Sequence, residues 1–281
     1  MLDEPFRGAD AVRAGWLTTD VLRGPRVRVL LRGVHVAADV PEDPLLRSRA
    51  ALVRWPDAVV TGSSALQIWR LPVPDRDQDL LELTRPPGTH PVRAAGCRVR
   101  RAVLHPDDVV SGLGLRFLSA DAAALEVLGR LSLDEGVTFA DRWTSSGSLR
   151  LDALRAAAAG RTGRGCARAR EALDLADGLA ESPPETWLRL LVLRSGLPAP
   201  VAQFVVRQAG GRFVARVDFA WPERRVALEY DGAWHGEPGQ LARDRRRLDA
   251  LADAGWRVTF ATAADRRDPT ALLTRLARLL G

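Results

Sequence analysis

The sequence predicts an α/β protein, α+β over its whole length. Three features of the pattern predict it. Residues 212–220 and 225–231 alternate apolar and polar side chains, the period of half-buried strands. Residues 120–178 are rich in alanine and carry apolar residues at helical spacing. Over 181–281 helices and strands succeed one another in the order αββαβα, as mixed strands flanked by helices do.

Taken in order, "GADAVRAGWLTTDVLR" at 8–23 reads as two short helices, with Gly15 ending the first and Thr18 or Thr19 capping the second. "RVRVLLRGVHVAAD" then reads as a hairpin turning at Gly33, so this stretch has the outline of a winged helix. An amphipathic helix is expected over 44–55 and another over 61–71, with a strand at "DLLELT" and a strand–loop–strand over 98–119. Helices follow in "SADAAALEVLGRL", capped by Ser119 and Asp121, in "SLRLDALRAAAAG", ending at Gly160, and in "GCARAREALDLADGL", ending at Gly178. The last hundred residues open with the helix of "ESPPETWLRLLVLRSG" and continue with the two strands. A helix over 239–254, the strand "WRVTFAT", and a helix capped by Asp268 with Pro269 at its first position complete them. The expected regions are 1–70, 71–180 and 181–281.

Composition narrows the function classes. No apolar run approaches the roughly 20 residues of a membrane span, and "MLDEPFRGAD" has no basic stretch leading into an apolar block. A cytoplasmic location without membrane partners is therefore expected. Cys97 and Cys166 stand far apart and form neither a disulfide framework nor a zinc site. The net charge is +6 and all 41 basic residues are arginine. A GC-rich genome explains that bias, yet the physics follows regardless. Arginine forks fit phosphates, a basic chain attracts polyanions, and no lysine serves in any active site here.

The stretch "RVDFAWPERRVALEYDGAWHG" concentrates the chemistry. A turn centred between Glu223 and Arg224 makes paired positions sum so that Asp218 faces Glu229. Directly opposed residues have Cβ atoms about 4.5–5.5 Å apart. Glu229 and Asp231 share a strand face by the period of two, and Phe213, Ala215, Val217 and Phe219 are expected to face a core on the other side. Crowded carboxylates need a cation, a shared proton or solvation. A hard divalent cation answers with oxygen ligands; pairing with Arg216 or Arg225 is the alternative.

Several neighbours extend this candidate site. His235 follows Asp231 by four residues and is either a surface or satisfied core histidine or, beside a metal site, a group to orient or deprotonate a water. Gln240, Asp244 and Arg247 follow helical spacing and stack on one face, as a supporting set or as a solvated face. Arg243, Arg245 and Arg246 add a basic face for phosphates or DNA. Ser182 to Glu185 spells a capping box whose acid either satisfies the helix start or joins the site.

The combination of "VDFAWPE", "ALEYDG-x-x-H", "Q-x-x-x-D-x-x-R" and "GWRV" over 181–281 resembles a very-short-patch-repair-type endonuclease domain of the PD-(D/E)XK superfamily, found in GC-rich bacteria. The resemblance implies a restriction-endonuclease-like fold and hydrolysis of DNA phosphodiesters. It implies Mg²⁺ or Mn²⁺ on Asp218 and Glu229, Glu185 as the helix acid, and His235 as a candidate base. Asp231 stands where E-x-K enzymes carry lysine. "AVRAGWLTTDVLRGPRVRVLLRGVHVAAD" and "VVTGSSALQIWRLPVP" are similar to the N-terminal region of AbiEi-type antitoxins of type IV toxin–antitoxin systems. That similarity implies a DNA-binding autoregulator, with a cognate toxin or defence-locus partner. Three functions are expected in turn: a metal-dependent DNA endonuclease, an antitoxin-like regulator that keeps an inactive nuclease-like domain, or a protein-interaction module in a defence or toxin–antitoxin locus.

Overall fold

The computed structural model describes residues 2–208, 210–232 and 240–281. The protein is α/β, and its chain divides into two compact units. One comprises Met1–Leu131 with Asp152–Glu171, the other Ser132–Leu151 with Ala172–Gly281.

The first unit opens with β1 (Phe6–Arg7), α1 (Gly8–Arg13) and α2 (Thr19–Arg23). Thr18 caps α2 by accepting the Val21 N–H. β2 (Val27–Leu31) and β3 (Val34–Ala37) then form a hairpin, and β1 joins its outer side in the order β1-β3-β2. Asp43 caps α3 (Pro44–Arg54), with Pro44 at its start. β4 (Val59–Val60), α4 (Gly62–Ile68), β5 (Leu81–Arg85), β6 (Cys97–Arg101), β7 (Val109–Gly112) and β8 (Leu115–Leu118) follow. The five strands form one mixed sheet in the order β6-β5-β4-β8-β7, which runs across the residue 70/71 boundary expected from sequence. Ser119 caps α5 (Ala120–Leu128).

A buried charge network ties α4 to this sheet. Glu82 on β5 accepts from the Ser63 N–H at 2.6 Å, from Arg98 at 2.6 Å and from Arg130 at 2.9 Å. Burial alone would raise its pKa, but the two guanidiniums hold it below the usual carboxylate range. Gly62 sits against this carboxylate with φ of 54°, and a Cβ there would collide with it. Both the left-handed backbone and the close approach require glycine.

α6 (Leu133–Ser145), α7 (Leu151–Ala159) and α8 (Cys166–Leu175) make up the helical stretch. A Ser132/Glu135 capping box starts α6, which lies wholly in the second unit. That unit continues with α9 (Pro183–Arg194), β9 (Val201–Arg207), β10 (Phe213–Trp221), β11 (Val226–Asp231), α10 (Gln240–Asp253), β12 (Arg257–Thr262) and α11 (Thr270–Leu280). From α9 onward the order is therefore αβββαβα, one strand more than αββαβα. The added strand is β9. Its sheet order is β12-β11-β10-β9, with β11 and β12 parallel across the α10 crossover and the other pairs antiparallel. Asp268 accepts the Thr270 N–H, but Pro269 takes the cap position, so α11 starts one residue later than expected.

The sheet has a core on each side. Leu188, Phe219, Trp221, Val226, Leu228, Leu272 and Leu276 pack together with α9 and α11. Val206, Ala215, Val217, Ala220, Ala227 and Leu251 pack together with α10. The expectation that Phe213, Ala215, Val217 and Phe219 share one face is corrected here. Val217 and Phe219 enter different cores, and Phe213 is 58% exposed. The reason is a break in alternation: Gln203, between the residues that pair with Val217 and Phe219, has φ of 50°.

Gly62→Ala is expected to destabilise the first unit by about 2 kcal/mol, the scale of one strained backbone position. A lower urea midpoint with unchanged slope would report it.

Candidate functional site

The site begins with strand register. Phe219 faces Leu228, Ala220 faces Ala227 and Trp221 faces Val226, the register derived from the turn. Pro222–Arg224 form a 3₁₀ turn and Arg225 closes it with φ of 51°. One step beyond Phe219 and Leu228 stand Asp218 and Glu229. The Asp218 Oδ2 accepts the backbone N–H of Tyr230 at 2.9 Å. Its Oδ1 accepts no hydrogen bond among the described residues.

Glu229 is held differently. Arg247, on α10, grips it with a two-pronged fork, Nη2 to Oε1 at 2.6 Å and Nη1 to Oε2 at 2.9 Å. The same Nη2 donates to the Arg216 carbonyl at 3.0 Å. Side-chain exposure is 12% for Glu229 and 33% for Arg247, so the pair is well shielded.

Glu185 is buried at the start of α9. The Ser182 hydroxyl donates to its Oε1 at 2.6 Å. The Glu181 N–H and the Gln203 side-chain amide donate to its Oε2 at 2.9 and 3.0 Å. The carboxylate thus reaches one residue beyond a standard capping box. Glu181 itself pairs with Arg216 at 2.7 Å.

α9 is anchored from below. Asp141 on α6, almost wholly buried, accepts from Thr186 at 2.9 Å and from Arg189 at 2.8 Å. Its other oxygen accepts the N–H groups of Asp177 and Gly178. Thr186 and Arg189 follow Glu185 on α9, so this network fixes the helix that carries the acid. Removing one partner of such a buried pair typically costs about 3–5 kcal/mol.

The electrostatics are anionic. Burial pushes the Asp218 carboxyl up, the Tyr230 N–H opposes this, and the Glu229 charge pushes it further up while Arg247 opposes. Burial likewise raises Glu185, against the Ser182 and Glu181 hydrogen bonds, and the charges of Asp218 and Glu181 add to the rise. Both acids are short of positive charge.

The remaining sequence candidates fall as follows. Asp231 is exposed at the end of β11, beside Thr262 of β12, and lies outside the hydrogen-bonded set. Asp244 and Arg247 share a face of α10, and the Asp244 charge reinforces the Arg247 cation. Arg243, Arg245 and Arg246 are exposed on the same helix. His235 lies outside the described residues, and so does the side chain of Gln240. Gln203, Asp141 and Glu181 were not legible as site residues. Gln203 acts through a backbone irregularity and Asp141 through a contact 45 residues away, for which spacing gives no signal.

Among the described residues, no three His, Cys, Asp or Glu side chains come together as a ready cation site. The individual carboxylates are already engaged. Arg247 occupies both oxygens of Glu229, and the loop before α9 and Gln203 occupy those of Glu185. In kind the donors fit a hard divalent cation. They are carboxylate oxygens on adjacent strands, with one oxygen of Asp218 free of hydrogen bonds among the described residues and the ionised forms of Asp218 and Glu185 disfavoured.

No protein-family profile matches the chain. Two curated proteins from two strains of Mycobacterium tuberculosis, both described as uncharacterised, are 43% identical to it over 119 residues. The match covers 42% of this chain and 44% of each relative, so the chain spans less than half the length of the curated relatives it matches.

Because the folded state raises the Asp218 pKa, it holds its proton more tightly than the unfolded chain. Stability from this group is present at low pH and is lost as pH rises through the raised value. Asp218→Asn keeps an acceptor for Tyr230 and removes the charge. It is expected to raise the melting temperature of the metal-free protein at neutral pH by about 2 °C. The gain should shrink as pH falls toward the ordinary carboxylate range, which calorimetry across a pH series would follow.

Proposed function

We propose that this protein is a metal-dependent DNA endonuclease related to very-short-patch-repair enzymes. The observation that carries the reading is the juxtaposition of Asp218 and Glu229 across the β10–β11 hairpin, with Asp218 and Glu185 both held in need of positive charge. Asp218 and Glu229 would hold Mg²⁺ or Mn²⁺. Bound there, the cation would neutralise the carboxylates and stabilise charge on a phosphodiester undergoing hydrolysis. Glu185 sets the local field and braces Gln203. Arg243, Arg245 and Arg246 offer exposed forks to the phosphate backbone. His235 is the candidate for water activation.

The first unit supports nucleic acid as the partner through its two short helices and hairpin. No helix among the described residues is long and apolar enough to cross a membrane. DNA in the cytoplasm is the proposed working environment, with a toxin or other defence-locus protein as a further partner.

A second reading is favoured by a specific observation. Arg247 saturates Glu229, and Asp231 stands in place of a lysine. Both features suit a DNA-binding, antitoxin-like regulator that keeps the nuclease-like unit as scaffold.

The two readings separate on plasmid and oligonucleotide cleavage with Mg²⁺, Mn²⁺ or chelator. An endonuclease should cut in a metal-dependent way, and Asp218→Ala and Glu229→Ala should each lower the rate by about 100-fold or more. The absence of cleavage of any DNA or RNA sinks the enzyme reading, and no metal bound in titration sinks the cation site with it. Salt-dependent DNA binding unchanged by Asp218→Ala would then favour the regulator.

A further inference from the structure

We infer that Arg247 is an exchangeable counter-ion, which holds Glu229 until a divalent cation takes the carboxylate and then turns its guanidinium to substrate phosphate. The inference rests on the proposed cation site and deepens it by coupling metal binding to phosphate binding.

The geometry carries the argument. A cation held by Asp218 and Glu229 needs at least one Glu229 oxygen. Both are taken by Arg247, at 2.6 and 2.9 Å. Asp218 keeps one oxygen free of hydrogen bonds among the described residues. Among the described residues, half of the site is therefore open and half is latched, and a single side chain is the latch. Among the described residues, Arg247 is the cation bonded directly to either of these two carboxylates.

The latch can let go. Arg247 is one-third exposed, and its third bond goes to a backbone carbonyl rather than to a second acid. It projects from the helix whose Arg243, Arg245 and Arg246 face solvent. A guanidinium released from Glu229 thus enters a surface already lined with phosphate-binding groups. The exchange conserves charge: the carboxylate passes from guanidinium to metal, and the guanidinium passes from carboxylate to phosphate. Each ligand removes the competitor of the other, so their binding is cooperative.

The test is Mn²⁺ binding, counted as free Mn²⁺ by electron paramagnetic resonance. Wild type, Arg247→Met and Arg247→Lys are each titrated alone and with a phosphorothioate duplex. Arg247→Met should bind Mn²⁺ about tenfold more tightly than wild type, roughly the factor of one charged hydrogen bond. Arg247→Lys, a point charge without the fork, should fall between them and keeps the test valid if the methionine variant unfolds. The duplex should tighten Mn²⁺ binding in wild type and not in Arg247→Met. Equal or weaker Mn²⁺ affinity in both variants overturns the inference, as does duplex coupling that survives in Arg247→Met. Failure of the enzyme reading looks different: Mn²⁺ binds with the expected order of affinities, and wild type cuts nothing.

Discussion

The hydrogen bond from the Tyr230 N–H to Asp218 Oδ2 is the interaction on which the second unit's chemistry turns. A backbone donor that a plain ladder would leave to the neighbouring strand is taken by a side chain. The β10–β11 pairing thus runs from Trp221 to Phe219 and then gives way to a carboxylate. On the other side of β10, Gln203 adopts a left-handed backbone at the same level. The two irregularities let consecutive odd-numbered residues of β10 enter different cores. A half-buried acid is held between two apolar layers at the point where the strand changes face. Such irregularities cluster at functional sites because a regular strand cannot present a carboxylate there without burying it unpaired.

The surrounding residues work to tolerate that placement. Glu185 uses its buried carboxylate twice, closing the start of α9 and gripping the Gln203 side chain. Asp141 bonds Thr186 and Arg189 and so keeps α9 in place. Arg247 neutralises Glu229 and leaves Asp218 partly open. The result is a local excess of carboxylates, costly in isolation, which in the proposed function attracts a cation. Where function asks for such an excess, the stability of the frame has to come from elsewhere, here from the two cores that sandwich the sheet.

Much of this was readable from sequence, and for identifiable reasons. The register of β10 on β11 from Trp221 to Phe219 followed from the turn residues Pro222 to Arg224, because hairpin register is set locally. The helical stacking of Asp244 with Arg247 followed from spacing alone. The fold class followed from the change of apolar period along the chain. The face switch at Gln203 was not readable, since period two is assumed unbroken until a backbone angle shows otherwise. β9 was missed because "VAQFVVR" offers no clean alternation once Gln203 and Ala202 are counted. The Arg247 fork on Glu229 joins residues on different elements, and only tertiary structure brings them together.

The most direct test is a crystal soaked in Mn²⁺ and measured for anomalous scattering. The proposed cation site requires an anomalous peak between the Asp218 Oδ1 and a Glu229 oxygen, with the Arg247 guanidinium displaced from Glu229. A crystal saturated with Mn²⁺ that shows no peak there, and Arg247 still forked onto Glu229, would contradict it.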